Sequence, residues 1–212
     1  MTLQLFLIRH GQTDFSRANR FCGAIDPPLN DVGLRMADAL AAAHGDKPWT
    51  GIYSSPRTRA LQTATPLARR AGVPIFIDEG LAEIAYGAWE GLGHDEVMHQ
   101  HPEEYAYWSH DPASRGTPGG ETAFHVAARA APVVARIREH HASGRVLVVS
   151  HKATLRIMMC ALLGLDVRLF RERMGQPVAA LTCFEISSRG PSLVLHGDIS
   201  HLPPDLRGLE GT

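Results

Sequence analysis

The chain has 212 residues, 44% hydrophobic and 20% charged, with a formal net charge of −1. That composition supports a full buried core and gives no electrostatic case for nucleic acid or an anionic membrane as partner. No apolar run reaches the roughly 18 residues of a membrane span, and Cys22, Cys160 and Cys183 are too scattered for a disulfide framework or a zinc site, which fits a soluble cytoplasmic protein without a leader.

Leu5-Phe6-Leu7-Ile8 runs straight into Arg9-His10-Gly11-Gln12-Thr13. A short continuous apolar run bounded by Gly predicts a strand buried on both faces. A parallel strand of this kind delivers the residues after its last position to the carboxyl edge of the sheet, where open α/β folds place their ligands. Arg9 beside His10 argues for an anion and against a metal, because a fixed positive charge repels a cation and pairs with phosphate. The polar stretch 17–30, with its Gly and Pro residues, predicts a loop. Asn30 suits an N-cap for a helix carrying Val32, Leu34, Met36, Ala39, Leu40 and Ala43, stopped by Gly45 and Pro48.

Trp49 to Tyr53 predicts a second strand, followed by a helix that Ser54 or Ser55 can cap, with Pro56 in its first turn and Gly72 at its end. Arg57 and Arg59 then fall in that first turn, where a cation opposes the helix dipole by a few tenths of a kcal/mol to about 1. Such a local inconsistency is expected at a functional site. An anion bound there would be held by the free N–H groups and the guanidinium together.

Val73 to Ile77 predicts a third strand. Leu81 to Gly93 predicts a loop containing Glu83, Tyr86, Trp89 and Glu90, with both aromatics read as packing. His94 to Trp108 predicts short, mixed helix around Pro102, and Asp111 to Glu121 another loop. Glu121 to His141 predicts a long helix burying Phe124, Val126, Ala127, Ala130, Val133, Val134 and Ile137, with a kink at Pro132. Arg145 to Ser150 is a fourth strand, as apolar as the first, and it too ends on a histidine, His151. Lys152 follows, then an apolar helix from Thr154 to Leu163. Ala179 to Ile186 and Ser192 to Leu195 predict a hairpin around Ser188-Arg189-Gly190, and the tail from Leu202 is expected to fray. His99, His101, His140 and His141 sit in polar stretches and read as solvated. Nothing divides the chain, so 1–212 reads as one domain with a lid-like insertion around 84–120.

If the sheet is parallel, the ends of three strands meet on one edge and gather two imidazoles, Arg9 and at least one further arginine. That pocket suits a phosphoryl dianion. Phosphoryl transfer is mostly alignment and charge stabilisation. One imidazole nitrogen can attack phosphorus, while the other imidazole and the guanidiniums hold the equatorial oxygens. A charge pair at about 4 Å and an effective dielectric near 20 is worth roughly 4 kcal/mol before desolvation, so such groups can stand in for a metal. The leaving alkoxide needs a proton. Glu83, in a Gly- and aromatic-rich loop suited to desolvating it, leads, with Asp26, Asp78, Glu79 and Glu90 in competition. Taken alone, a histidine at a strand end is more often structural than catalytic. The joint occurrence of His10 and His151 with Arg9 and the first-turn arginines favours chemistry, while Arg69 and Arg70 read as solvated.

Five stretches in order are similar to the histidine phosphatase superfamily, the phosphoglycerate-mutase-like proteins. They are Leu7-Ile8-Arg9-His10-Gly11-Gln12-Thr13; Arg20 to Leu29; Ser54-Ser55-Pro56-Arg57-Thr58-Arg59-Ala60; Glu83-Ile84 with Gly87 and Trp89-Glu90-Gly91; and Pro118-Gly119-Gly120-Glu121 with Val148-Val149-Ser150-His151. The resemblance implies a three-layer α/β/α sandwich with a mostly parallel central sheet, and a site using neither cofactor nor metal. It implies His10 as phosphorylated nucleophile, Arg9, Arg59 and His151 as the phosphate pocket, and Glu83 as proton donor, leaving Arg57 at the rim. Gln12, Ser16, Cys22 and Gly23 are the implied substrate contacts, and Lys152, a departure from the family, adds a candidate contact at the pocket mouth. Ser16 stands where the family usually has Asn, and Lys152 where Gly is common. Residues 92–112 contain no Lys or Arg, which favours a metal-independent phosphomonoesterase over a phosphoglycerate mutase or a catalytically silent phosphate-binding regulator. The expected substrate is a small phosphorylated metabolite, with Lys152 suited to a second acidic group. No oligomeric state is legible.

Overall fold

The computed structural model describes residues 2–209. Its strands are β1 (Leu3–Arg9), β2 (Trp49–Ser54), β3 (Ile75–Ile77), β4 (Gly144–Ser150), β5 (Leu181–Ser187) and β6 (Gly190–Asp198). Its helices are α1 (Asp14–Arg17), α2 (Asp31–His44), α3 (Thr58–Ala71), α4 (His94–Gln100), α5 (Pro102–His110), α6 (Ala123–His140) and α7 (Lys152–Leu163). The strands form one sheet in the order β3-β2-β4-β1-β5-β6. The first four neighbours run parallel, β5 runs antiparallel to β1, and β6 antiparallel to β5. The sheet is therefore mostly parallel, as expected.

The period of two along β1 and β4 builds the three layers. Leu5, Leu7, Val146 and Val148 face one side, where Val126, Val133 and Ile137 of α6 and Leu155 and Met159 of α7 cover them. Ile8, Leu147 and Val149 face the other, against Leu40 of α2 and Ala60, Ala64 and Leu67 of α3. Covering on both faces is why these strands read as unbroken apolar runs rather than alternating ones.

Asn30 caps α2 as its sequence suggests, its side-chain oxygen accepting from Gly33 N at 2.9 Å. The cap expected of Ser54 or Ser55 does not form. α3 starts at Thr58 with Arg57 at the N-cap and no capping side chain of its own. Asp26, from the 17–30 loop, supplies the carboxylate instead, accepting from Thr58 N at 2.9 and 3.0 Å.

Several expectations are corrected. Pro102 does not sit inside one helix; it opens α5 at its first position and so separates α4 from α5. Phe124 is 50% exposed and Leu34 42% exposed, because Ala123, Val126, Ala130, Val133 and Ile137 already fill the inward stripe of α6, and Gly33, Met36 and Leu40 that of α2. Position 141 is only half-buried rather than solvated, and Tyr53 Oη meets its His141 Nε2 at 3.1 Å. The tail does not fray through 209: Leu202 and Leu206 are buried against Met36, Val178 and Ala179. Its last three residues lie outside the described residues. Phe21 from the 17–30 loop packs with Trp89, Val97 and Trp108, fastening α4 and α5 over the carboxyl edge of the sheet. Among the described residues no helix is long and apolar enough to cross a membrane.

Candidate active site

Arg9 pairs in register with Ser150, so β1 and β4 end side by side and release His10 and His151 at one edge. Their ring centroids stand 5.1 Å apart, edge to face. β2 ends at Ser54, in register with Val149, which brings Ser55 to the same edge. The convergence read from three strand ends is the observed one.

The His10 Nδ1 lies 2.7 Å from Gly11 O. A carbonyl only accepts, so the Nδ1 carries the proton and the lone pair belongs to Nε2. Burial, with Arg59 and Arg9 nearby, holds the imidazole well below the usual histidine range. It is thus neutral at pH 7, with one nitrogen free to attack. Gly11 N donates to Thr63 Oγ1 at 3.0 Å, tying the turn to α3. The turn also presses on α2: a Cβ on Gly33 would stand 2.1 Å from Gln12 O.

Arg9 is buried and donates from Nη1 to Gln176 O at 2.9 Å, while its buried Nε finds no partner. Burial pushes this guanidinium down to about 10, which still leaves it charged at neutral pH. Arg59 is fully buried, and all five of its donors are engaged. Nε donates to His151 Nδ1 at 3.2 Å, Nη1 to Ile25 O and Asp26 Oδ1, and Nη2 to Cys22 O and Gly23 O. A guanidinium only donates, so His151 Nδ1 accepts and its Nε2–H is directed to Ser55 Oγ, 2.7 Å away. Burial first, then Arg59, keeps His151 well below the usual histidine range.

Glu83 is buried, and its carboxylate accepts from Ile84 N at 3.0 Å, Thr154 N and Thr154 Oγ1 at 3.1 Å, and Ala153 N at 3.2 Å. It thereby caps α7, whose own N-cap, His151, supplies no capping side chain. Both helices that open on cations are capped from afar, α3 by Asp26 and α7 by Glu83. The competing carboxylates are committed elsewhere. Glu90 is held by the amides of Gly23, Ala24, Ile25 and Tyr86. Asp78 pairs with Arg136, and Glu79 is exposed. Arg129 of α6 grips Glu121 through two bonds of 2.9 Å and donates to the carbonyls of Gly80, Ala82 and Glu83, fixing the acid loop.

A cavity of about 450 Å³ opens over this edge. Arg9, His10, Ser16, Cys22, Arg59, Glu83 and Lys152 contribute to its wall. Gln12, Gly23 and His151 stand behind it. Gln12 Oε1 accepts from Asn30 Nδ2 at 3.0 Å, and Gly23 N is bound to Glu90. The Ser16 hydroxyl accepts from Thr13 N at 2.9 Å and donates to Thr13 O at 3.0 Å, closing the capping box of α1. Sequence reasoning missed Arg129, Arg156 and Arg171. Arg156 was findable, four residues after Lys152 on the same helix; Arg171 carries no local signal. The absence of cations in 92–112 does not extend to the cavity, because Lys152, Arg156 and Arg171 supply them from other elements.

Known proteins resemble this chain in sequence and in fold. The phosphoserine phosphatase 1 of Hydrogenobacter thermophilus is 33% identical over 168 residues, covering 79% of this chain and 80% of that protein. The glucosyl-3-phosphoglycerate phosphatase of Mycolicibacterium vanbaalenii is 36% identical over 172 residues, covering 77% of this chain and 76% of that protein. Among solved structures, Bacillus stearothermophilus YhfR superposes with a TM-score of 0.87 at 30% identity, over 94% of this chain and 98% of its own. The mycobacterial glucosyl-3-phosphoglycerate phosphatase in complex with inorganic phosphate gives 0.82 at 29%, over 95% of this chain and 100% of its own. The sequence profile of the histidine phosphatase superfamily, branch 1, matches residues 5–199, and with relatives covered over most of their own length the chain belongs to that family.

Proposed function

We propose that the protein is a phosphomonoesterase that transfers a phosphoryl group from a small phosphorylated metabolite to His10 and then to water, with Glu83 as general acid and base. The carrying observation is the neutral His10, its Nδ1 bound to Gly11 O and its Nε2 free, beside a buried Arg9 N–H without a partner. Nε2 attacks phosphorus as the P–O ester bond breaks, and the leaving alkoxide takes its proton from Glu83. Water then gives up one of its own protons to the Glu83 carboxylate as its oxygen attacks phosphorus and the N–P bond breaks, releasing phosphate. Arg9 and Arg59 stabilise the equatorial oxygens. Arg59 must exchange one carbonyl partner for a phosphoryl oxygen, and His151 holds Arg59 and the face of His10 in place. The relatives named for phosphoserine and for glucosyl-3-phosphoglycerate support a phosphorylated metabolite as substrate. The cation-rich wall supports charge stabilisation without a metal. Rapid acid-free quench of the protein with p-nitrophenyl phosphate should trap an acid-labile phosphoenzyme, and turnover should persist in excess EDTA. His10→Ala should lose both phosphoenzyme and turnover; full activity in that variant, or loss of activity in EDTA, would overturn the mechanism.

A further inference from the structure

Beyond the two guanidiniums that flank His10, the cavity wall carries Lys152, Arg156 and Arg171. Lys152 and Arg156 project from one face of α7 at i, i+4, a like-charge spacing that is unfavourable for the helix itself. Lys152 also lies in the first turn, against the helix dipole. Arg171 comes from a different segment and is held 3.8 Å over the Trp108 ring of α5. Among the described residues none of the three forms an ion pair with a carboxylate, and the buried Arg156 Nε has no hydrogen-bond partner. The three cations also repel one another. Burial, with Arg9 and Arg156 beside it, pushes the Lys152 ammonium down to about 7. Glu83 acts against this on Lys152 and Arg156 but is already bound at the start of α7, and Glu172, next to Arg171 in the chain and also in the wall, offsets Arg171 without forming an ion pair with it. Three cations from two segments, gathered at one wall and in no ion pair among the described residues, leave a positive face that an anion would complete.

We infer that Lys152, Arg156 and Arg171 form a subsite for a second oxyanion of the substrate, so that the preferred substrates are phosphomonoesters carrying a carboxylate or a further phosphoryl group. This rests on the phosphomonoesterase reading, with the first oxyanion at His10, Arg9 and Arg59. The subsite extends the role expected of Lys152 alone to a cluster in which Arg156 offers a fixed planar donor set matched to an oxyanion.

Phosphonates bind without turnover and so separate recognition from catalysis. Titration calorimetry would compare 3-phosphonopropionate, propane-1,3-bisphosphonate and propylphosphonate. At least one of the two doubly anionic compounds should bind roughly tenfold or more tightly than propylphosphonate at low salt, with the margin shrinking as salt screens it. Arg156→Met should cut that margin about tenfold and Arg156→Lys should restore most of it. Arg171→Gln, checked for an unchanged melting profile, should act in the same direction. The compound with the larger margin identifies the second group as carboxylate or phosphoryl. Equal binding of all three, or a margin unchanged in both Arg156→Met and Arg171→Gln, overturns the subsite. A protein that shows the margin but releases no phosphate from any monoester would overturn the phosphatase reading instead and leave the subsite standing.

Discussion

At the scale of single residues, the site is defined by which hydrogen bonds are already made. His10 has one nitrogen committed and one free, whereas both nitrogens of His151 are bonded within the protein. That asymmetry supports His10 rather than His151 as the nucleophile of the proposed mechanism, although the two histidines look alike in the sequence. Glu83 has two tasks, capping α7 and facing the cavity. Glu83→Gln should slow hydrolysis of alkyl phosphates by about 10²–10⁴-fold and of p-nitrophenyl phosphate far less, because a good leaving group needs no proton. An amide also keeps only one acceptor oxygen for the α7 amides, so the same variant should lose about 0.5–2 kcal/mol of stability. Equal rate losses on both substrates would move the acid role away from Glu83. The choice among five carboxylates was open in the sequence; Glu83 is the one of the five that lines the cavity beside His10, which is why the proposed mechanism gives it the acid role.

At the scale of elements, α3 and α7 begin without side-chain caps of their own, and loops from elsewhere supply Asp26 and Glu83. The first-turn cations Arg59 and Lys152 both reach the cavity wall, while the loops that cap the helices are themselves fastened to the site. Asp26 lies in the segment whose carbonyls hold Arg59, and Glu83 in the segment that Arg129 clamps. The approach of α2 to the His10 turn is equally specific. On helix propensity alone Gly33→Ala should stabilise α2 by about 1 kcal/mol. A Cβ there would stand 2.1 Å from Gln12 O and 2.9 Å from Gln12 N, both backbone atoms of the turn. The clash should win: the variant should melt lower, by about 1–3 kcal/mol of lost stability, and lose kcat as the turn shifts His10. A raised melting temperature with full activity would show that the contact is relieved at no consequence.

At the scale of the whole molecule, charge is distributed unevenly around the cavity. The 92–112 segment contributes His94 and Trp108 to the wall and no cation, whereas α7 and the chain near 171 contribute three. A mutase must hold a phosphorylated acid while it reorients, and the 92–112 segment supplies no cation for that grip. With 3-phosphoglycerate and a trace of 2,3-bisphosphoglycerate, free phosphate should appear much faster than 2-phosphoglycerate; rapid interconversion with little phosphate released would reverse that assignment. The sequence by itself determined the strand ends at His10 and His151, the layered fold and the family, because continuous apolar runs and short motifs are properties of adjacent residues. Only the tertiary structure decided that Gln12, Gly23 and His151 stand behind the cavity wall, that Ser16 is tied to Thr13, and that Arg156 and Arg171 complete a cationic face. Burial likewise left Phe124 in solvent and drew Leu202 and Leu206 into the core. Such outcomes depend on which groups far apart in the chain reach one another first, and a buried donor, carboxylate or apolar side chain is satisfied by its spatial neighbours rather than by its sequence neighbours.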